Sequence, residues 1–61
     1  MIPVHSSAIA AIGWANGVLT VVFRNGRAYD HAGVPYLVYV ALMLSPSKGA
    51  FYNAHIRRRF R

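Results

Sequence analysis

Short hydrophobic runs separated by turn residues occupy the first half of the chain. Apolar runs that contain β-branched and aromatic residues occupy positions 9–14 and 18–23, and a third extended segment covers 27–31. Asn-Gly pairs at 16–17 and 25–26 separate these runs, and this dipeptide favours a type I′ hairpin turn, in which both central residues have positive φ. The pattern predicts a three-stranded antiparallel meander.

The register of the predicted strands follows by counting outward from each turn, if both turns are two-residue loops. The first hairpin then pairs Trp14 with Leu19, and the second pairs Phe23 with Ala28. Because strand side chains alternate between faces, this register predicts one apolar face that packs into the core. The predicted core face contains Ala10, Ile12, Trp14, Leu19, Val21, Phe23 and Ala28. The opposite face contains Ala11, Gly13, Thr20, Val22, Arg24, Arg27, Tyr29 and His31.

The second half of the chain has the pattern of two helices. Pro35 suits the first position of a helix and disfavours helix in the residue before it, so a first helix is predicted over 36–44. Pro46 ends it, and a second helix is predicted from about 50 to 58. The first helix has no charged residue, and a helix that is apolar all round is usually buried on more than one side. The predicted fold is α+β, in the order βββαα.

Length and composition limit the class of protein. At 61 residues the chain is predicted to be a single domain, 1–61, that needs an efficient core or a partner surface. It has no cysteine, which excludes disulfides and thiolate metal sites. No stretch reaches the roughly 20 apolar residues of a membrane helix, so we expect a soluble, intracellular protein without membrane association.

Charge is the strongest indication of a partner. Seven Lys and Arg residues face one acidic residue, Asp30, which gives a formal net charge of +6. This imbalance favours a polyanionic partner, and arginine favours bidentate contacts to phosphate. Two alternatives remain open: the charge keeps a small apolar domain soluble, or the C-terminal arginines interact with the helix dipole.

The sequence argues against catalysis. Acid-base chemistry by carboxylates needs two of them, and only Asp30 is present. Asp30 and His31 are neighbours on a predicted strand and point to opposite faces. A Ser6 or Ser7 nucleophile with a histidine base remains conceivable, but no acyl-transfer motif accompanies it. The three histidines lack metal-ligand spacing, so we expect no enzyme activity, metal or cofactor.

Several motifs occur in a characteristic order. They are Val4-His5-Ser6-Ser7-Ala8-Ile9, Ile12-Gly13-Trp14, Leu19, Val21, Phe23, Asn25-Gly26, Val34-Pro35, and Ser47-Lys48-Gly49 through Asn53 and Ile56. This order resembles the KTSC domain family over essentially the whole chain. That family is a short module named for its occurrence at the C-terminus of some lysyl-tRNA synthetases, and it also forms stand-alone small proteins in bacteria and phages.

The resemblance implies a cytoplasmic protein of a bacterium or a phage-infected cell, and its link to a tRNA synthetase favours RNA as partner. The sequence departs from the family at one central position. The family typically has Tyr-x-Tyr where this chain has Tyr29-Asp30-His31. If that pair stacks on bases, His31 can still stack.

Two functional hypotheses follow. The first is a small non-enzymatic module that binds nucleic acid, RNA in particular, with arginines on phosphates and aromatic rings on bases. Its predicted contact residues are Arg24, Arg27, Tyr29, His31, Lys48, Arg57, Arg58, Arg59 and Arg61. Tyr29 and Tyr52, a further candidate for stacking, are also suited to ordinary packing in a small core.

The second hypothesis is a protein-interaction module. Such a small regulator or inhibitor would self-associate as a homodimer or larger oligomer through the apolar helix 36–44 and dock its basic surface on an acidic partner protein. Its predicted interface residues are Tyr36, Tyr39, Val40 and Met43.

Overall fold

The computed structural model describes residues 1–60, and Arg61 lies outside the described residues. A four-stranded antiparallel sheet is followed by two helices, so the predicted α+β class is confirmed. The strands are β1 (Ile2–Pro3), β2 (Ile9–Ala15), β3 (Val18–Phe23) and β4 (Ala28–His31), and they lie side by side in chain order. The helices are α1 (Tyr36–Leu44) and α2 (Lys48–His55).

The three-stranded prediction was wrong by one strand. β1 pairs antiparallel with β2, where Ile2 lies opposite Ile12 and Pro3 opposite Ala11. Proline is tolerated there because β1 is an edge strand, whose outer side has no ladder to complete. Two residues are too few to leave a period-two pattern in the sequence.

The first hairpin has the predicted turn. Asn16 has φ 53° and Gly17 has φ 81°, as a type I′ turn requires, and Trp14 pairs with Leu19. The ladder departs from prediction further out, because the register shifts between Ile9 and Ala11 and pairs Ile9 with Phe23. Ile9 is therefore fully buried, whereas Ala10, predicted to lie in the core, is only half-buried.

The second hairpin has a three-residue loop instead of the predicted two-residue loop. The Phe23 N–H donates to the Arg27 carbonyl oxygen at 2.8 Å, and the Gly26 N–H donates to the Phe23 carbonyl oxygen at 3.0 Å. Gly26 has φ 91°, a left-handed conformation that commonly closes a hairpin of this length. The register of β4 consequently differs by one residue from the prediction.

A one-residue difference in register exchanges the two faces of a strand. Tyr29 pairs with Val21 and His31 pairs with Leu19, so both rings lie on the core side of the sheet. The prediction that Tyr29 and His31 lie on the opposite face was wrong. Ala28, predicted to be core, is exposed.

Replacement of Gly26 tests this turn. Gly26→Ala is expected to destabilise the protein by about 1 to 2 kcal/mol, because an L-residue is disfavoured at positive φ even though the space around Gly26 is open. Gly49→Ala is the control, because Gly49 lies inside α2 and an added Cβ would meet the Ala8 Cβ at an ordinary 3.5 Å. That change should stabilise the helix by about 0.5 to 1 kcal/mol in urea unfolding. Equal effects of the two changes would contradict the turn geometry.

Both helices cover the core side of the sheet. The fully or nearly buried apolar residues are Ile9, Ile12, Leu19, Val21, Val34, Leu42, Tyr52 and Ile56. α1 has the predicted bounds, whereas α2 begins at Lys48, two residues earlier than predicted, and ends at His55, three residues earlier than predicted. Neither helix is long and apolar enough to cross a membrane.

α1 is covered on one side. Leu42 is 0% exposed, and Val38, Tyr39 and Met43 pack against the core, but Leu37 and Leu44 are 77% and 78% exposed. The outer face of this uncharged helix is therefore apolar and faces solvent within the monomer.

Candidate nucleic-acid interface

Two open clefts adjoin α2. The larger, of about 610 Å³, is here named the serine cleft. Its lining includes Ser6, Ser7, Arg24, Ser47, Lys48 and Asn53. The smaller, of about 420 Å³, is here named the tyrosine cleft. Its lining includes Arg27, Tyr29, His31, Tyr52, Asn53 and Arg57. Because Asn53 lines both clefts, they are adjacent.

Aromatic rings form one wall of the tyrosine cleft. Phe23 packs edge-to-face against Tyr29, with ring centroids 5.7 Å apart at 75°, and against Tyr52 at 5.3 Å and 77°. Such pairs add to the stability already gained from burial of the rings. Tyr29 is held by this contact and still has 46% of its surface exposed.

His31 forms a buried polar bridge behind this wall. It is 7% exposed, its Nδ1 lies 3.0 Å from the Phe60 carbonyl oxygen, and its Nε2 lies 2.8 Å from the Tyr52 hydroxyl. A carbonyl oxygen only accepts, so we assign the proton of neutral His31 to Nδ1, and Nε2 then accepts from the Tyr52 hydroxyl. The ring therefore links β4 to α2 and to Phe60, just beyond the turn that follows α2.

The tyrosine hydroxyl in this bridge remains protonated at neutral pH. Burial raises the pKa of Tyr52 above its ordinary value of 10.0, and the nearby Arg57 guanidinium opposes part of this rise. The hydroxyl is thus a dependable hydrogen-bond donor to His31.

The cations of the serine cleft are held by neutral backbone groups. Arg24 donates from Nε to the Ser6 carbonyl oxygen at 2.6 Å, and Lys48 donates from Nζ to the Ser45 carbonyl oxygen at 3.0 Å. The Ser6 hydroxyl accepts from the Ile9 N–H at 3.2 Å. Carbonyl partners position the two cations without cancelling their charge, whereas Ser6 serves the turn before β2.

The structure brings together six of the predicted nucleic-acid contacts. Arg24 and Lys48 line the serine cleft, and Arg27, Tyr29, His31 and Arg57 line the tyrosine cleft. Of these, His31 is only 7% exposed and both of its ring nitrogens are bonded within the chain, so its ring is not available to stack on a base as predicted. The side chains of Arg58 and Arg59 are exposed after α2 and line neither cleft, and the prediction for Arg61 lies outside the described residues. Asn53, which lines both clefts, had no predicted role, although it belongs to the last of the sequence motifs, Ser47-Lys48-Gly49 through Asn53 and Ile56.

Most of the predicted protein-interface residues are partly covered by other residues of the same chain. Trp14 stacks on Tyr39 with centroids 6.4 Å apart and meets Tyr36 edge-on at 5.2 Å. Tyr39, Val40 and Met43 are half-buried, whereas Tyr36 is 55% exposed. Among residues 1–60 no group of three or more His, Asp or Glu side chains is placed to hold a metal ion.

A four-stranded sheet covered by two helices and bordered by two basic clefts defines a small α+β domain. The KTSC domain family model matches residues 5–60, so this chain belongs to the KTSC domain family. It is also similar to the crystal structure of KTSC domain protein YPO2434 from Yersinia pestis, with 36% sequence identity and a TM-score of 0.93. That match covers 97% of this chain and 86% of the other. No match was found among curated proteins.

Proposed function

We propose that this domain is a non-enzymatic module that binds RNA in the cytoplasm through the adjacent serine and tyrosine clefts. The observation that carries the proposal is the charge of the clefts. Arg24, Lys48, Arg27 and Arg57 line them, with no acidic residue in either lining. Cations grouped in this way neutralise successive phosphates and release the counterions that surround a nucleic acid.

The one acidic residue, Asp30, is paired with a neutral side chain elsewhere on the sheet. The Asp30 Oδ1 accepts a 2.7 Å hydrogen bond from the Thr20 hydroxyl. Asp30 alternates with Tyr29 and His31 along β4, so it faces the side of the sheet away from the core. Asp30 lines neither cleft, so the cleft linings contain cations and no carboxylate.

Aromatic surface favours RNA over an acidic protein as the polyanion. Tyr29 shares the tyrosine cleft with Arg27 and Arg57, and this combination of rings and guanidinium groups suits bases joined to phosphates. The carboxylates of an acidic protein surface would pair with the arginines but would not stack on the Tyr29 ring. His31 itself is not free to act as a base in the tyrosine cleft, because both of its ring nitrogens already have partners.

Charge reversal tests the proposal. Arg27→Glu combined with Arg57→Glu is expected to weaken binding of a labelled short RNA at least tenfold, because each arginine is expected to form a charged hydrogen bond of about 1.5 to 3 kcal/mol. The dependence of log affinity on log salt should become shallower by about 0.7 for each phosphate that is no longer bound. Fluorescence anisotropy at several salt concentrations measures both effects.

Arg58→Glu combined with Arg59→Glu is the matched control. Both double variants lower the formal net charge from +6 to +2, but Arg58 and Arg59 line neither cleft. We expect the control to lose much less affinity than the cleft variant. Equal losses of affinity would indicate that RNA binding depends on net charge alone and not on the clefts, which would contradict the proposal. Absence of RNA binding by the unmodified protein at low salt would also refute it.

The exposed face of α1 supports a second candidate, a protein-interaction module. Leu37, Ala41 and Leu44 recur at helical spacing and are exposed, beside the half-exposed Tyr36. Of the interface residues predicted from sequence, Tyr36 adjoins this face, whereas Tyr39, Val40 and Met43 are half-buried. A sedimentation coefficient that rises with protein concentration would support self-association through α1, and a constant monomer value would oppose it.

A further inference from the structure

The tyrosine cleft combines a fixed aromatic ring with two cations. Phe23 holds the Tyr29 ring edge-to-face, and 46% of Tyr29 remains exposed. Arg27 and Arg57 line the same cleft. Its volume of about 420 Å³ lies within the range of roughly 300 to 1,000 Å³ found for small-ligand pockets. A ligand that matches this site has one flat ring and one anionic group.

We propose that the tyrosine cleft holds one unstacked nucleotide, so that the domain selects single-stranded over double-stranded RNA. This inference rests on the proposed function. The base lies against the exposed surface of Tyr29, and an adjoining phosphate lies between Arg27 and Arg57. Stacking on a tyrosine is tolerant of sequence because every base has a π-face. The site therefore recognises that the RNA is single-stranded and does not recognise its sequence.

Duplex RNA does not expose the unstacked base that we place against Tyr29 in the tyrosine cleft. In a duplex the bases are paired and stacked inside the helix, so phosphates and 2′-hydroxyls dominate the accessible surface. Arg27 and Arg57 can reach those phosphates, but Tyr29 receives no free base. A single strand supplies both interactions at once.

The adjoining serine cleft is placed to bind the neighbouring nucleotides of the RNA strand. Asn53 lines both clefts, and beyond it Arg24 and Lys48 are positioned by backbone carbonyl groups. We place the next phosphates there, because those cations are ordered before RNA arrives and lose less side-chain freedom on binding. The expected footprint is a few nucleotides with one stacking position.

The test uses two labelled probes, oligouridylate and a blunt RNA duplex of the same length. The unmodified protein should bind oligouridylate more tightly than the duplex at equal salt. Tyr29→Leu keeps apolar contact with Phe23 but removes the ring, and it should weaken oligouridylate binding about tenfold. Duplex binding should not change, and Tyr29→Phe should keep the single-strand preference.

Tyr36→Leu is the matched control, because Tyr36 is a tyrosine of similar exposure, 55%, on α1 and outside the cleft. Far-ultraviolet circular dichroism confirms that each variant is folded. The inference is overturned if strand and duplex bind equally, or if Tyr29→Leu loses no more affinity than Tyr36→Leu while the cleft arginine variant is still impaired. Failure of the unmodified protein to bind either probe would instead refute the proposed function itself.

Discussion

Leu42→Ala is expected to remove most of the stability of this domain. Leu42 is fully buried between α1 and the sheet, and truncation of such a leucine costs about 2 to 5 kcal/mol. A domain of 61 residues has a total free energy of unfolding of about 3 to 9 kcal/mol. The expected loss is therefore comparable with the total free energy of unfolding. Urea unfolding followed by fluorescence of the single tryptophan, Trp14, measures it.

The same helix provides the control. Leu44 is 78% exposed and lies two positions from Leu42, so Leu44→Ala changes the same side chain without opening a cavity. We expect its effect to stay within about 0.5 kcal/mol. A large destabilisation by Leu44→Ala, at protein concentrations where the protein is monomeric, would contradict the placement of α1.

His31→Phe is expected to have the second largest effect. It leaves the Tyr52 hydroxyl and the Phe60 carbonyl oxygen without their buried partner, and an unsatisfied buried group costs about 1 to 3 kcal/mol. Tyr52→Phe removes one side of the same bridge. The double variant should be more stable than the sum of the two single losses implies, by about 0.5 to 3 kcal/mol. Additive losses in urea unfolding would contradict the bridge, and His55→Phe, at an exposed histidine that packs on Phe51, should be nearly neutral.

Alkaline pH gives an independent readout of the bridge. Because burial raises the pKa of Tyr52 above 10.0, the folded protein keeps a proton that the unfolded chain loses. The contribution of this group to stability is complete below pH 10 and decreases as the pH rises toward and through the folded pKa. Tyr52→Phe should make this part of the pH dependence disappear, and an unchanged alkaline profile would contradict the assignment.

The sequence was sufficient for α1, for the presence of α2 and for the turn of the first hairpin, but not for the second hairpin. Asn16-Gly17 and Asn25-Gly26 are the same dipeptide, yet they form loops of two and three residues. In the second loop Asn25 Oδ1 accepts from the Arg27 N–H at 3.0 Å, an interaction that the dipeptide pattern does not specify. Loop length therefore depended on the structure around the turn.

One signal in the sequence did favour the correct register. Ala28 and Asp30 share a face, so the register that places Ala28 in the core also buries the one carboxylate of the chain without a partner. The observed register buries His31 and leaves Asp30 exposed. The partners of His31, Tyr52 and Phe60, are 21 and 29 residues further along the chain, which explains why local patterns did not reveal the bridge.

The position of those partners also bears on how the domain forms during synthesis. β4 is synthesised before Tyr52 and Phe60. The His31 ring therefore cannot form its two hydrogen bonds until the end of α2 and Phe60 have left the ribosome. Burial before that moment would leave both ring nitrogens unsatisfied, which makes an early, partly closed sheet unfavourable. We therefore expect a nascent chain that is held before Phe60 clears the exit tunnel to remain accessible to protease. The bridge is complete only when Phe60 docks against His31.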